Sequence, residues 1–392
     1  MPLNLKTNIM KQLIQTIKLQ NFLSYGPKKQ EIELQPLNVL IGSNGSGKSN
    51  LIEAFSFLKA TPTDIMVPVR KGGGASEFLW KGQKESPTAN IEAILNYPTS
   101  KNAQILHYNL AFSESNQRFL LVDELVKYQN SAPECYHYQY PRGAILRSKD
   151  EENHFEPDYP NQSIFSQRKE PNRYPEILYL GNQFAAIELY RNWHIGRDLE
   201  PRHLQKADLP EFPLLEDSSN LGLVLNDLQF KLGNQPVLEQ FQKFYREAEE
   251  LSIKIIGGTV QIFIRERGFT QPIAASRLSD GTLHYLFLMA LLLDPTPPPL
   301  LCIEEPEIGL HPDILGTIAD MLIEASERTQ LIVTTHSDAL ISTLPPESVL
   351  ICERDDDGSH LQRLSAEPLR DWLENYTIGD LWRMGHIGGK PW

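Results

Sequence analysis

Cysteine is scarce: the 392 residues hold three, Cys135, Cys302 and Cys352, and no two form a C-x-x-C pair. That excludes a disulfide framework, removes the usual basis for a zinc site and fits a reducing, cytoplasmic setting. Long hydrophobic runs are missing as well. The longest, "LHYLFLMALLL" from Leu283, is far shorter than the ~20 residues of a membrane span and carries a histidine. It reads as a buried core helix, and no membrane partner is expected. The opening "MPLNLKTNIMKQLIQTIKLQNF" is broken by lysine and glutamine and offers no secretory apolar stretch. Positive charge is in deficit, with a formal net charge of −13. General attraction to nucleic acid or anionic lipid is thereby excluded, and any DNA contact would need a local basic patch. Internal repeats and heptad arrays are absent.

Apolar content of 41% and charged content of 22% describe an ordinary globular chain, long enough for two or three units or one large α/β domain with insertions. Residues 13–41 alternate as strands ("QLIQTIKLQNF", "QEIELQ", "LNVLI") around the turn "SYGPKK". After the glycine-rich stretch, "SNLIEAFSFLKA" places Leu51, Ile52, Phe55 and Leu58 at helical spacing. "ANIEAILNY", "QILHYNLAFS" and "RFLLVDELVKY" read as an antiparallel set, so 13–130 forms an N-terminal lobe. Periodicity then fails over 131–175, expected as a partly flexible insertion in which the tyrosines allow a hairpin. Helical texture marks 176–255 as a lid. Residues 256–352 form a C-terminal lobe, and 353–392 a hairpin and tail.

Four patterns carry chemistry. "GSNGSGKS", Gly42 to Ser49, fits G-x-x-x-x-G-K-[ST] between a strand and a helix, the context this motif requires. Gly42, Gly45 and Gly47 let the backbone amides of Ser43, Asn44, Ser46 and their neighbours through Asn50 face phosphate oxygens. Lys48 would reach the β- and γ-phosphates, and Ser49 would bind magnesium. In "LLCIEEPEIGLHP", Glu304 would hold the metal and Glu305 would polarise the attacking water. A solvated acidic turn is the plainer alternative. "QLIVTTHSDAL" puts His336 beyond another buried strand, where a neutral imidazole donates to a γ-phosphate oxygen. Between these, Ser279 of "RLSDGTLHYLF" opens a helix. It is an N-cap by itself, but a second anion site in a chain that already has a complete phosphate loop points to a phosphate of another molecule.

In that order the glycine loop, "LSDGT", "EEPE…GLHP" and "TTHS" resemble the ABC-type ATPases of the SMC, RecF and overcoming-lysogenization-defect-like group, often called AAA family ATPases. The likeness covers most of the chain outside about 131–160. It implies an α/β ABC-type P-loop head with a mixed sheet, an antiparallel β subdomain and a helical lid. It further implies ATP and Mg2+ as ligands and a homodimer of two heads sandwiching two nucleotides. Ser279, Asp280 and Gly281 would then act in trans, Lys48 and Ser49 in cis, Glu305 as base and His336 as switch. "EIGLHP" at 307–312 falls where the group's D-loop crosses the interface. Gln167 is the candidate Q-loop glutamine, with Gln183 as rival. Asp280 replaces a glycine of the group's signature and brings negative charge near a docking phosphate. The Glu304–Glu305 pair replaces Asp-Glu.

Two readings follow. One is a RecF-like ATPase that controls a nucleic-acid process such as phage defence or DNA repair. After Glu353 too few residues remain for a TOPRIM nuclease, so Asp355 to Asp357 reads as a hairpin turn and any nuclease-like effector as a separate protein. The other is a nucleotide-gated clamp with slow or no turnover. A transporter head is disfavoured by the insertion and the altered signature. In the tail, Trp372 is expected in the core, with Trp382 and Trp392 there or at an interface.

Overall fold

The runs "LNVLI", "LLCIE" and "QLIVT" become adjacent strands Leu37–Ile41, Leu300–Glu304 and Gln330–Thr334 of a six-stranded sheet in the computed structural model. The structure describes residues 12–82, 87–98, 103–129, 134–147, 152–156, 159, 161–193 and 196–389. Glu188–Tyr190 and Val349–Asp355 flank the three runs in parallel, and Gly358–Arg363 returns antiparallel at the edge. Such unbroken apolar runs belong to strands covered on both faces. Val39, Ile41, Leu301, Ile303, Leu331 and Val333 face one core with the helices Asp280–Leu293 and Leu315–Ser326. Leu40, Leu300, Cys302 and Ile332 face a second core with the helix Lys48–Ala60. Asp280–Leu293 is apolar nearly all round because it lies within the first core.

Across the second core lies an eight-stranded antiparallel sheet, ordered Gln30–Glu33, Ile14–Gln20, Ala89–Pro98, Ala103–Ser115, Arg118–Tyr128, Tyr136–Gln139, Gly143–Arg147 and Glu152–Phe155. Buried Gln330 ties the two sheets together: its amide accepts from Ile14 N–H at 2.9 Å and donates to Ile14 O at 2.8 Å. A third, smaller sheet holds Gln205–Lys206, Ala248–Ile256, Thr259–Glu266 and Ile273–Ala274. The architecture is α/β, with one mixed sheet and two antiparallel ones.

Several expectations need correction. Within 131–175 the tyrosine hairpin that the sequence allowed is present, Tyr136–Gln139 with Gly143–Arg147; what it did not show is that this hairpin and Glu152–Phe155 extend the antiparallel sheet. The short strands Glu188–Tyr190 and Gln205–Lys206 interrupt the helical texture of 176–255, too brief for a period to show. Boundaries at 255/256 and 352/353 would cut the strands Ala248–Ile256 and Val349–Asp355, which run on to the turns at 257–258 and 356–358. Trp372 is 44% exposed and stacks on His386, whereas Trp382 is fully buried. Trp392 lies outside the described residues. The triple aspartate does form a hairpin turn, with Asp355 paired to Gly358. Among the described residues no helix is long and apolar enough to cross a membrane.

Candidate active site

Parallel strands deliver their carboxyl ends to one edge, and in open α/β sheets that edge is where ligands bind. Register pairs Thr334 with Leu40, Glu304 with Thr334, Ile351 with Ile41 and Tyr190 with Ile303. The residues at or just beyond the parallel-paired ends therefore meet: the glycine loop, Glu304 and Glu305, Thr335 and His336, Cys352, and Arg191.

The loop turns on backbone that only glycine adopts easily. Gly42 has φ 149 and Gly47 φ 112. A Cβ on Gly42 would lie 2.2 Å from Cys352 O, and one on Gly47 2.3 Å from Ser359 Oγ. Gly47 starts the helix Lys48–Ala60 without any side-chain cap, which leaves the first amides for an anion. Ser46 Oγ is buried without a partner, while Ser46 O is held by Cys352 Sγ at 3.1 Å and Ser359 Oγ at 2.6 Å. Lys48 Nζ donates to Gly42 O at 2.8 Å and Ser43 O at 3.0 Å. Burial lowers its pKa, opposed by the charges of Cys352, Glu305, Glu307 and Glu304. Asn50 donates to Ser24 Oγ at 2.7 Å. Ser43, Asn44 and Gly45 line an open cleft of about 1000 Å³ with Trp80 and Arg354.

Ser49 Oγ donates to Glu304 Oε2 at 2.9 Å, joining the two expected magnesium ligands. Burial raises the Glu304 pKa, with Ser49 and Arg191 pulling the other way. Glu305 adopts the left-handed region, φ 48, and its N–H bonds Thr334 O at 2.8 Å. Strained backbone of this kind concentrates at functional sites. The turn carries the Glu305 carboxylate to 3.7 Å from His336 Nε2. Burial, and then the charge of Lys48, lower the His336 pKa, which favours a neutral ring.

Four participants went unread in the sequence. Glu307 accepts from Thr335 Oγ1 and His336 N–H, both at 2.7 Å, and so anchors the Thr335–His336 backbone. Its position in "EEPE" was the available signal. Arg191 pairs with Glu53 and lies 3.6 Å from Glu304 Oε1. Trp193 donates its indole N–H to Glu304 O and stacks on His284, which bonds Ile308 O at 2.6 Å. Arg202 pairs with Asp280.

The structure does not bring Gln167 into this cluster. Its amide donates to the carbonyls of Gln162 and Tyr159, at 2.8 and 3.2 Å. Gln183 lies in the helix Pro175–Ala185. At the end of the strand beside Leu300–Glu304 the polar residue is Arg191. Ser279 stands apart too: its Oγ accepts from Thr282 N–H at 3.1 Å, and no hydrogen bond or ion pair links 279–281 to the glycine loop among the described residues. Gly281 packs against the 307–312 segment, where an added Cβ would lie 2.9 Å from Gly309 O.

Residues 37–342 match the family described as "AAA domain, putative AbiEii toxin, Type IV TA system". The chain belongs to this family. A DNA double-strand break repair Rad50 ATPase of Sulfolobus acidocaldarius is 37% identical over 89 residues, 22% of this chain and 9% of that one. The chain thus spans under a tenth of that relative. Among solved structures, an Smc head bound to the C-winged helix domain of ScpA superposes with TM-score 0.57 at 17% identity, covering 91% of this chain and 99% of that one. An Smc head with an extended coiled coil bound to the C-terminal domain of ScpA, derived from Pyrococcus furiosus, gives TM-score 0.52 at 16% identity, over 92% and 98%. These likenesses describe the fold.

Proposed function

We propose that this chain is an ATPase whose two copies close face to face around bound ATP and that its turnover regulates a nucleic-acid process. The uncapped helix start and the unpartnered Ser46 hydroxyl fit a polyphosphate chain, and the Ser49–Glu304 contact fits a magnesium ion between two oxygen ligands. Magnesium held there supplies Lewis-acid neutralisation of phosphate charge. Lys48 exchanges its two carbonyl partners for phosphate oxygens. Glu305 orients a water and accepts its proton. His336, kept neutral, donates to a γ-phosphate oxygen, and Glu307 holds its backbone in place. Ser279, Asp280 and Gly281 reach the nucleotide of the second copy.

The observation that carries hydrolysis, rather than mere holding, is the strained Glu305 backbone with its carboxylate 3.7 Å from His336. A clamp has no need of a base aimed at that point. Steady-state phosphate release should fall on the order of 100- to 10,000-fold in Glu305→Gln, and that variant should accumulate an ATP-bound dimer by light scattering. Equal release by wild type and variant would leave the slow clamp as the better reading. The family description names a toxin of a type IV toxin–antitoxin system, and the Rad50 relative is named for DNA repair. DNA repair is the setting the second name supports; phage defence, and a separate nuclease-like effector, remain part of this proposal. Copurification identifies the effector.

A further inference from the structure

Asp280 places a carboxylate at the first position of the helix behind Ser279, where the reading above has a triphosphate from the second copy dock. Left alone, that charge would repel it. The structure surrounds the loop with one guanidinium. Arg202, from the turn Glu200–Arg202, donates through Nε to Gly196 O at 3.0 Å and through Nη1 to Leu278 O at 2.5 Å and Ser276 O at 3.4 Å. Its Nη2 pairs with Asp280 Oδ1. Four acceptors thus meet one planar fork, three of them on residues 276–280, more than seventy positions away in the chain. The arginine side chain is 13% exposed and the aspartate 32%, so the cation sits beneath the loop and the anion nearer its surface. Little water separates the two, and salt screens such a pair weakly.

We infer that Arg202 is the positioning residue of the Ser279–Gly281 segment: it cancels the Asp280 charge and holds the loop in shape, so that this head can receive the triphosphate bound to its partner. The inference rests on the two-headed reading and adds to it a residue from a segment remote in sequence. It assigns the Asp280–Arg202 pair a specific job. The loop presents the serine hydroxyl and amide groups without a free negative charge, and any loss at Arg202 is felt at the other head's nucleotide.

Charge logic sets the pattern of variants. Arg202→Ala exposes the aspartate and should weaken ATP-dependent dimerisation on the order of tenfold or more. Added salt should partly restore it, the reverse of an attraction-driven response. Asp280→Asn in the Arg202→Ala background should recover much of the loss, which a merely unfolded loop would not do. Arg202→Lys keeps the charge but not the fork and should fall between the two.

The deciding experiment mixes Arg202→Ala with Glu305→Gln, each full-length, and measures phosphate released in the first turnover. One composite site in each mixed dimer pairs an intact Lys48 and Glu305 from the first variant with an intact 276–280 loop from the second. Release above the sum of the separate variants is expected. No gain on mixing, with wild type dimerising normally on magnesium and a non-cleavable ATP analogue, would overturn the role of Arg202 while leaving the two-headed reading intact. If wild type itself stays monomeric in that control, both fall.

Discussion

Two clusters of polar side chains lie in this molecule within reach of the same helix Lys48–Ala60 and its neighbours, and they are built to opposite ends. Around Glu124, in the antiparallel sheet, every group is used inside the protein. The fully buried carboxylate accepts from Tyr108 OH at 2.8 Å, Ser163 Oγ at 2.5 Å and Ile164 N–H at 2.9 Å. At the glycine loop, capacity is left over. The helix start has no cap, Ser46 Oγ and Glu307 Oε2 lack partners, and Lys48 rests on carbonyls that water or phosphate can replace. Unsatisfied buried groups are costly, so their concentration beside an uncapped helix start calls for an explanation. The first cluster holds shape, and the second keeps the spare polar capacity that the proposed nucleotide would use.

The sharpest way to break that contrast is Lys48→Ala. If the loop exists for triphosphate, ATP affinity and turnover should drop on the order of a hundredfold or more, while the melting temperature without nucleotide changes little. Equal nucleotide affinity, measured by calorimetry, would remove the assignment. Next in size comes Ser279→Arg, which should bind ATP with wild-type affinity yet fail to dimerise or release phosphate. Unchanged turnover would mean that the trans contact does not exist.

Much of the glycine-loop cluster was legible because its chemistry is local. Gly42 to Ser49 and the acids after "LLCI" sit in consecutive residues, and each apolar strand announces where its end falls. Parallel pairing then does the rest, bringing 41, 304 and 334 to one edge without any further signal. Arg191 and Arg202 were invisible for the opposite reason. Their partners are 113 and 78 positions away, and Glu188–Tyr190 is three residues long, below the length at which alternation shows. The Glu124 cluster was equally unreadable: a glutamate in "RFLLVDELVKY" looks like the polar phase of an alternating strand. Only the packing of 163–165 over it makes the carboxylate a buried anchor. Asp280 shows the same limit, since its isolated charge in the sequence becomes half of a pair in the fold.

At the self-contained cluster the expected effects concern stability. Glu124→Gln puts an amide donor against Ile164 N–H, Ser163 and Tyr108, and should destabilise by about 1–3 kcal/mol with ATP affinity preserved. Denaturant unfolding reads this directly. A pH series sharpens it. Burial raises the Glu124 pKa to about 7 despite its donors. Because the folded value exceeds the unfolded one, the folded state holds the proton more tightly. Stability from this group is therefore complete below about pH 4.5 and is lost as pH rises through about 7, on the order of 3 kcal/mol at most. Wild type should show that decline and Glu124→Gln should lack it; identical slopes would mean that the carboxyl is not the titrating group.

The smallest effect separates the two jobs that one hydroxyl holds. Ser279 Oγ accepts from Thr282 N–H at 3.1 Å and is therefore a helix cap within its own chain, whatever it meets across a dimer. Ser279→Ala should cost about 1 kcal/mol of stability as a lost cap. Ser279→Thr keeps the capping oxygen and adds a methyl to the face presented to a partner. If the hydroxyl only caps, the threonine variant behaves as wild type in both unfolding and phosphate release. If the second nucleotide docks there, unfolding stays at the wild-type midpoint while ATP-dependent dimerisation weakens several-fold, an effect on assembly that the cap alone cannot produce.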